Sequence, residues 1–336
     1  MRQPALGPTV ALVFSIGLGA MAAVGVRDGP SWKLSPPAPA VALRPPGPVD
    51  ARDVACAECH RDVVEEWSRT AHALAWVDEL YQAELGQVRR PELCQGCHVP
   101  RPLLVDERLG RPIPREDGRD LGITCEACHL GPDGTMLGPR GTATDAHPTR
   151  RSDLFAGERA GALCAGCHSV NIGPVIGVAK DFESSRQAER GRSCAGCHLA
   201  LLERQPEHVT AIEGAAPMRS HALQTPRDPS FLRRAFSPRL VVEGERAKVV
   251  IENRAGHRVP GLKGRRILFR AEALGAGGAV VARGELQIDA GRTLAVDGSL
   301  EIDLDTAGAG VRLVGLHYDP RANEPVTFLD ESLKPE

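Results

Sequence analysis

Aromatic residues are scarce in this chain: seven Phe, three Trp and two Tyr among 336 residues. A core of ordinary size draws much of its apolar area from such rings, so something other than side chains must supply large flat surfaces here. A field of one sign is also missing. Lys and Arg total 41 against 43 Asp and Glu, a formal net charge of −2, which excludes a basic face for nucleic acid. Methionine is rare, with four in all, and Met1 and Met21 belong to the N-terminal segment. Cysteine is missing outside a single pattern. All ten cysteines fall in five copies of Cys-x-x-Cys-His: Cys56, Cys59 and His60; Cys94, Cys97 and His98; Cys125, Cys128 and His129; Cys164, Cys167 and His168; Cys194, Cys197 and His198.

Each copy has the chemistry of covalent haem attachment. Two thiols three residues apart form thioethers with the two vinyl groups on one haem edge, and the adjoining imidazole becomes the proximal iron ligand. Zinc sites of the four-Cys kind consume such pairs two at a time. Five is an odd number, and zinc gives no reason for a histidine after every second cysteine. A disulfide framework explains neither the spacing nor the histidines. The expectation is five covalently bound haem c groups, whose porphyrins account for the missing aromatics. The second and fourth copies share Leu-Cys-x-Gly-Cys-His, the trace of a duplicated two-haem unit.

Haem is attached in this way only after export. Arg2 followed by the apolar run from Val10 to Val26 reads as a signal peptide, or as a membrane anchor if uncleaved, over residues 1–26. Residues 27–50 form a Pro-rich linker with Pro36, Pro37, Pro39, Pro45, Pro46 and Pro48, an extended and semi-stiff spacer. Residues 51–235 are expected to be a pentahaem cytochrome c domain of helices and loops around cofactors. Apolar residues at helical spacing, with no Pro or Gly, predict one helix from about Ala57 to Leu85. Residues 183–192 suggest a short helix before the fifth motif. From residue 236 to 336 the texture changes to alternation, as in Ala247, Val249 and Ile251 against Lys248, Val250 and Glu252, with Gly-rich turns between runs. About six short strands of this kind predict a small all-β, Ig-like sandwich. The fold class is therefore α+β in two parts.

Function turns on the far side of each iron, because a haem with two protein ligands passes electrons and an open one can bind a small molecule. Six histidines lie outside the motifs: His72, His147, His208, His221, His257 and His317. Five close every haem. His147, on a broken loop, is placed to fold back over a haem. His208, ten residues after the fifth motif, is preferred over His317, which sits in a strand where a solvated cross-strand role is expected. On a continuous helix, His60 and His72 would stand about 18 Å apart, so His72 would cap a neighbouring haem and not its own.

The chain resembles the multihaem cytochromes c related to cytochrome c-554. Cys56-Ala-Glu-Cys-His60 followed by Trp67-Ser-Arg-Thr-Ala-His72-Ala is similar to that family's opening motif and distal histidine. Arg219-Ser220-His221 and Asn253-Arg-Ala-Gly256-His257-Arg-Val-Pro260 resemble recurring ligand positions. Relatives often follow that proline with Thr-Gly, where this chain has Gly261-Leu262. The resemblance covers roughly residues 51–275 and implies ligation by His72, His221 and His257. Ligation by His257 would staple the β-rich part over a haem.

The expected function is electron transfer through five mostly bis-His haems on the periplasmic side. Its partners would be other redox proteins, including a membrane quinol-linked complex, and the chain would be free or tethered by residues 10–26. The alternative is an oxidoreductase acting on nitrite, hydroxylamine or tetrathionate at one open haem. No motif carries the lysine substitution of multihaem nitrite reductases. Of the two tyrosines, Tyr81 and Tyr318, neither has the context of the haem-modifying residue in hydroxylamine-oxidising relatives.

Overall fold

In the computed structural model the attachment motifs fold as short helical turns, and the rest of the first part is arranged around them. Residues 55–105, 108–155, 157–171, 176–202, 218–306 and 308–335 are described, all within one compact unit, Ala40–Glu336. The expected leader at 1–26, the linker at 27–50 and His208 lie outside the described residues. No helix among the described residues is long and apolar enough to cross a membrane.

A 3-10 turn at Ala55–Glu58 is followed by helices α1 (Arg61–Ser68), α2 (Glu79–Leu85), α3 (Glu92–His98), α4 (Cys125–His129), α5 (Ala162–His168), α6 (Ala179–Glu183), α7 (Arg186–Glu189), α8 (Cys194–His198) and α9 (Pro229–Arg233). Two small ribbons lie between them. Strands β1 (Leu104–Val105) and β2 (Arg108–Leu109) pair antiparallel, and β3 (Met136–Gly138) and β4 (Thr149–Arg151) pair parallel.

The single helix expected over 57–85 is broken. Ser68 Oγ donates to the Glu65 carbonyl at 2.9 Å and Thr70 Oγ1 to the Trp67 carbonyl at 2.7 Å, so hydroxyls take up carbonyls at the end of α1. Residues 69–77 then run as turns until Asp78 restarts the helix by accepting from the Tyr81 N–H at 2.9 Å. The apolar spacing reported a buried side, which turns can present as well as a helix does. Residues 183–192 also divide, between the end of α6 and the separate turn α7.

The β-rich part has seven strands: β5 (Phe236–Glu243), β6 (Arg246–Asn253), β7 (Arg266–Leu274), β8 (Val280–Ile288), β9 (Ser299–Leu304), β10 (Gly310–Tyr318) and β11 (Val326–Leu333). They form two antiparallel sheets, ordered β5-β6-β9 and β11-β10-β7-β8. Alternation works as period 2 requires: Val249 and Ile251 from one sheet and Phe269, Leu286, Ile288 and Leu313 from the other share one core. Phe236, Phe269 and Phe328 meet at its centre, with ring centroids 5.2–5.6 Å apart.

His317 departs from the solvated role expected of it. It lies on the inner face of β10, is 2% exposed, and its Nε2 has no partner. Burial, with Arg265 nearby, pushes its pKa down to about 4, so it is a neutral core histidine.

Asp319 follows, with its side chain 2% exposed and Arg227, Arg265 and Arg321 at 3.3, 3.3 and 3.8 Å. Burial raises its pKa, but Arg265, the Arg321 N–H and the other guanidiniums outweigh this and hold it below the ordinary value. A depressed folded pKa means stability that is full above the unfolded value, about 3.9, and lost as pH falls through the folded one. Asp319→Asn is therefore expected to destabilise the protein at pH 7 by about 2–3 kcal/mol, somewhat below a fully buried pair because Arg227 is half exposed. The acid limb of a stability–pH curve should flatten in the variant; an unchanged curve would show that the cluster contributes nothing.

Candidate haem sites

Positions i, i+3 and i+4 lie on one face of a helical turn, so each motif turns two thiols and one imidazole to the same side. Helices α3, α4, α5 and α8 do this, each ending on its motif histidine. The first motif uses the 3-10 turn, closed by the His60 N–H donating to the Cys56 carbonyl at 2.8 Å.

Backbone carbonyls then orient the rings. His98, His129 and His198 donate from Nδ1 to the carbonyls of Ala75, Leu137 and Gln224 at 2.6, 2.7 and 2.8 Å. His257 does the same to Arg258 at 2.8 Å. A proton held at Nδ1 leaves the Nε2 lone pair for a metal. Burial pushes His72 and His129 down to about 4, and it lowers His98, His168, His221 and His257 as well. All are held in the neutral form that ligates.

Four motif histidines face a histidine from elsewhere in the chain. His60 faces His147, His72 faces His168, His129 faces His221, and His198 faces His257, with ring centroids 6.3, 6.4, 6.2 and 6.4 Å apart. A first-row metal binds imidazole nitrogen at about 2.0 Å, and a ring centroid lies about 1.2 Å behind that nitrogen, so two imidazoles on opposite sides of one iron stand about 6.4 Å apart. The four gaps fit an iron. The Nδ1 atoms of His147 and His221 are buried without hydrogen-bond partners among the described residues. Among the described residues no three His, Cys, Asp or Glu side chains converge on one site.

Residues 55–130, which hold three of the five motifs, match the family described as "Cytochrome c554 and c-prime". Over that stretch the chain is similar to the multihaem c-type cytochromes of this family. The crystal structure of a penta-heme cytochrome c552 from Thermochromatium tepidum is similar in fold, with a TM-score of 0.58 at 17% identity over 86% of this chain and 100% of that one. No curated protein matches the chain.

Each candidate distal histidine is placed by contacts remote in sequence. His72 sits in the turns after α1, where Ile123 N–H donates to its carbonyl at 2.8 Å. The preceding Gly122 has φ +59 and passes so close to the His72 and Ala73 carbonyls that a Cβ there would collide with them. His147 lies just before β4. His221 is held by its own N–H, which donates to Glu66 on α1 at 2.7 Å.

His257 is held by Asn253, 1% exposed, whose Nδ2 donates to the His257 and Ala295 carbonyls at 2.9 and 2.7 Å. Beside it, Arg258 grips Asp181 of α6 with Nε at 2.5 Å and Nη2 at 2.7 Å. Gly256, φ +78, lets the loop press against Gln187 and Phe182.

His98 is different. It stacks on Tyr81, centroids 3.6 Å apart and planes 9° from parallel, and no second imidazole faces it among the described residues. The Tyr81 hydroxyl is buried without a partner, and burial raises its pKa. Behind this pair, Arg321 from the β-rich part grips Asp78, the cap of α2, with Nη2 at 3.0 Å. Asp181 and Gln224 escaped sequence reasoning because nothing in their neighbours along the chain marks them, and Tyr81 was weighed only as a haem-modifying residue. Only Asp78 carried a local signal, as an acidic residue at a helix start.

Proposed function

We propose that this cytochrome is a periplasmic electron-transfer protein that passes electrons along five covalently bound haem c groups, most of them bis-His. One observation carries this reading: thiols of different motifs lie side by side. Cys56 and Cys125 are close enough to influence one another, as are Cys97 with Cys167 and Cys164 with Cys194, while Cys128 acts electrostatically on both Cys164 and Cys167. Each sulfur anchors a haem edge. Edges of the first and third haems therefore meet, as do those of the second and fourth, the fourth and fifth, and the third and fourth. Every haem has a neighbour in this order, and the fourth touches three. Bis-His ligation without axial Met favours low potentials.

The export-type segment at 1–26, a signal peptide or an anchor, supports the periplasmic side. The partners on this reading are other redox proteins, a membrane quinol-linked complex among them. The strand order of the two sheets supports an Ig-like sandwich for 236–336, with 51–235 as the haem domain.

The stacking of His98 on Tyr81 favours a second reading, in which the second haem is open and reduces or oxidises a small nitrogen or sulfur oxyanion. On the carrier reading His208 closes that haem. Optical and EPR spectra with and without carbon monoxide separate the two. The carrier reading expects wholly low-spin haems unchanged by carbon monoxide, and one newly high-spin, carbon-monoxide-binding haem in His208→Ala. A high-spin haem that binds carbon monoxide in the unaltered protein would replace it with the enzyme reading.

A further inference from the structure

We propose that the thioether edge of the fifth motif is an electron-exchange face for an acidic redox protein, recognised by Arg192, Arg219 and Arg234. The proposal rests on the electron-transfer reading above. All three guanidiniums are placed by the motif's own surroundings.

Arg192 immediately precedes Ser193, the residue that caps α8 by accepting from the Gly196 N–H at 3.0 Å. Arg219 reaches the other end of α8, donating from Nη1 to the Ala195 and Leu199 carbonyls at 3.3 and 2.8 Å. Arg234 donates to Gln224 Oε1 at 3.3 Å and lies over the Phe231 ring at 5.2 Å. Gln224 and Phe231 are in turn the residues that hold and flank His198.

None of the three is ion-paired among the described residues, whereas nearby Arg186, Arg227, Arg233 and Arg258 each are. Asp228 interacts electrostatically with Arg234 and also caps α9 through Ser230 and Phe231. Arg192, Arg234 and Gly196 are exposed, and Arg219 is half-buried. Like charges held near one another repel, and a surface rich in carboxylates relieves that repulsion. Their place at a haem edge favours a redox protein as the bearer of those carboxylates. One electron would cross this face between the iron held by His198 and His257 and a one-electron centre of the partner, one oxidised as the other is reduced.

The test uses the full-length holoprotein, chemically reduced, and two oxidants of opposite charge: ferricyanide and tris(phenanthroline)cobalt(III). Arg192→Gln/Arg234→Gln removes the two exposed charges and spares Arg219, which also holds α8. At low ionic strength the second-order rate with ferricyanide is expected to fall by about tenfold, while the cobalt complex reacts as fast or faster. High salt should erase the difference. An unchanged ferricyanide rate, or an equal fall with both oxidants, would overturn the proposal. So would loss of binding to phosphatidylglycerol vesicles with the ferricyanide rate intact, which would assign the face to a membrane surface. Pyridine haemochrome assay keeps the two levels apart: absence of covalent haem sinks the electron-transfer reading itself, not this face alone.

Discussion

His72→Ala is expected to turn one haem high-spin and open to carbon monoxide while covalent haem content stays the same. His72 is buried and faces His168 with the separation an iron requires. Attachment depends on Cys164 and Cys167, which the substitution leaves untouched. The consequence should exceed the loss of one ligand, because on the proposed haem order the fourth motif is the junction: its thiols interact with those of the second and fifth and electrostatically with Cys128 of the third.

The companion His72→Met tests the junction directly. An axial Met raises the potential, and a rise of about 59 mV multiplies the electron's equilibrium preference for that haem tenfold. Electrons should then collect at the junction, so that it reduces first in a potentiometric titration and the remaining haems reoxidise more slowly. Five unaltered low-spin haems in His72→Ala would remove His72 from the ligands. An altered spin state with unchanged reoxidation kinetics in His72→Met would leave the ligand and remove the junction.

Phe269→Ala should weaken the β-rich part by about 3–5 kcal/mol, the range for emptying a buried aromatic site. Phe269 is fully buried against Phe236 and Phe328, so few neighbours can close the cavity. Domains of this size have about 5–15 kcal/mol in total, and the melting temperature of the sandwich should drop by more than about 10 °C.

On the proposed ligation by His257, the effect reaches a haem. Asn253, at the end of β6, ties the His257 loop to Ala295 inside the sheet framework. Melting the sandwich should therefore free one distal ligand, and a Soret change from one haem should accompany the early thermal transition. His257→Ala is the control: it should open the same haem with little change in the calorimetric transition. If Phe269→Ala lowers the melting temperature without any Soret change at that transition, the β-rich part does not hold the ligand.

What was legible in the sequence was local chemistry. Cys-x-x-Cys-His places two thiols and an imidazole on one helical face whatever surrounds it, so attachment and the proximal side can be read from five residues. The period-2 alternation likewise announced the two sheets, because a half-buried strand must alternate. Local patterns failed where burial came from distant chain. The apolar spacing over 57–85 marked a buried side but could not report that Ser68 and Thr70 would end the helix. The pattern around His317 suggested an exposed strand edge, yet β7 and β11 flank it on both sides and the core closes over it.

The distal ligands mark the division most clearly. An imidazole needs only a few ångströms of access to an iron and carries no spacing rule, so the chain alone supplied six histidines without a partner for any. Tertiary structure decided that His147 stands opposite His60, His72 opposite His168, His221 opposite His129 and His257 opposite His198. It did so through contacts made between segments far apart in the chain: the Gly122 backbone against His72, Glu66 on His221, Asp181 on Arg258. The sequence by itself determined how haem is attached and where, because covalent attachment is set by neighbours along the chain. Only the folded chain decided which histidines stand opposite one another, because that depends on which surfaces pack together.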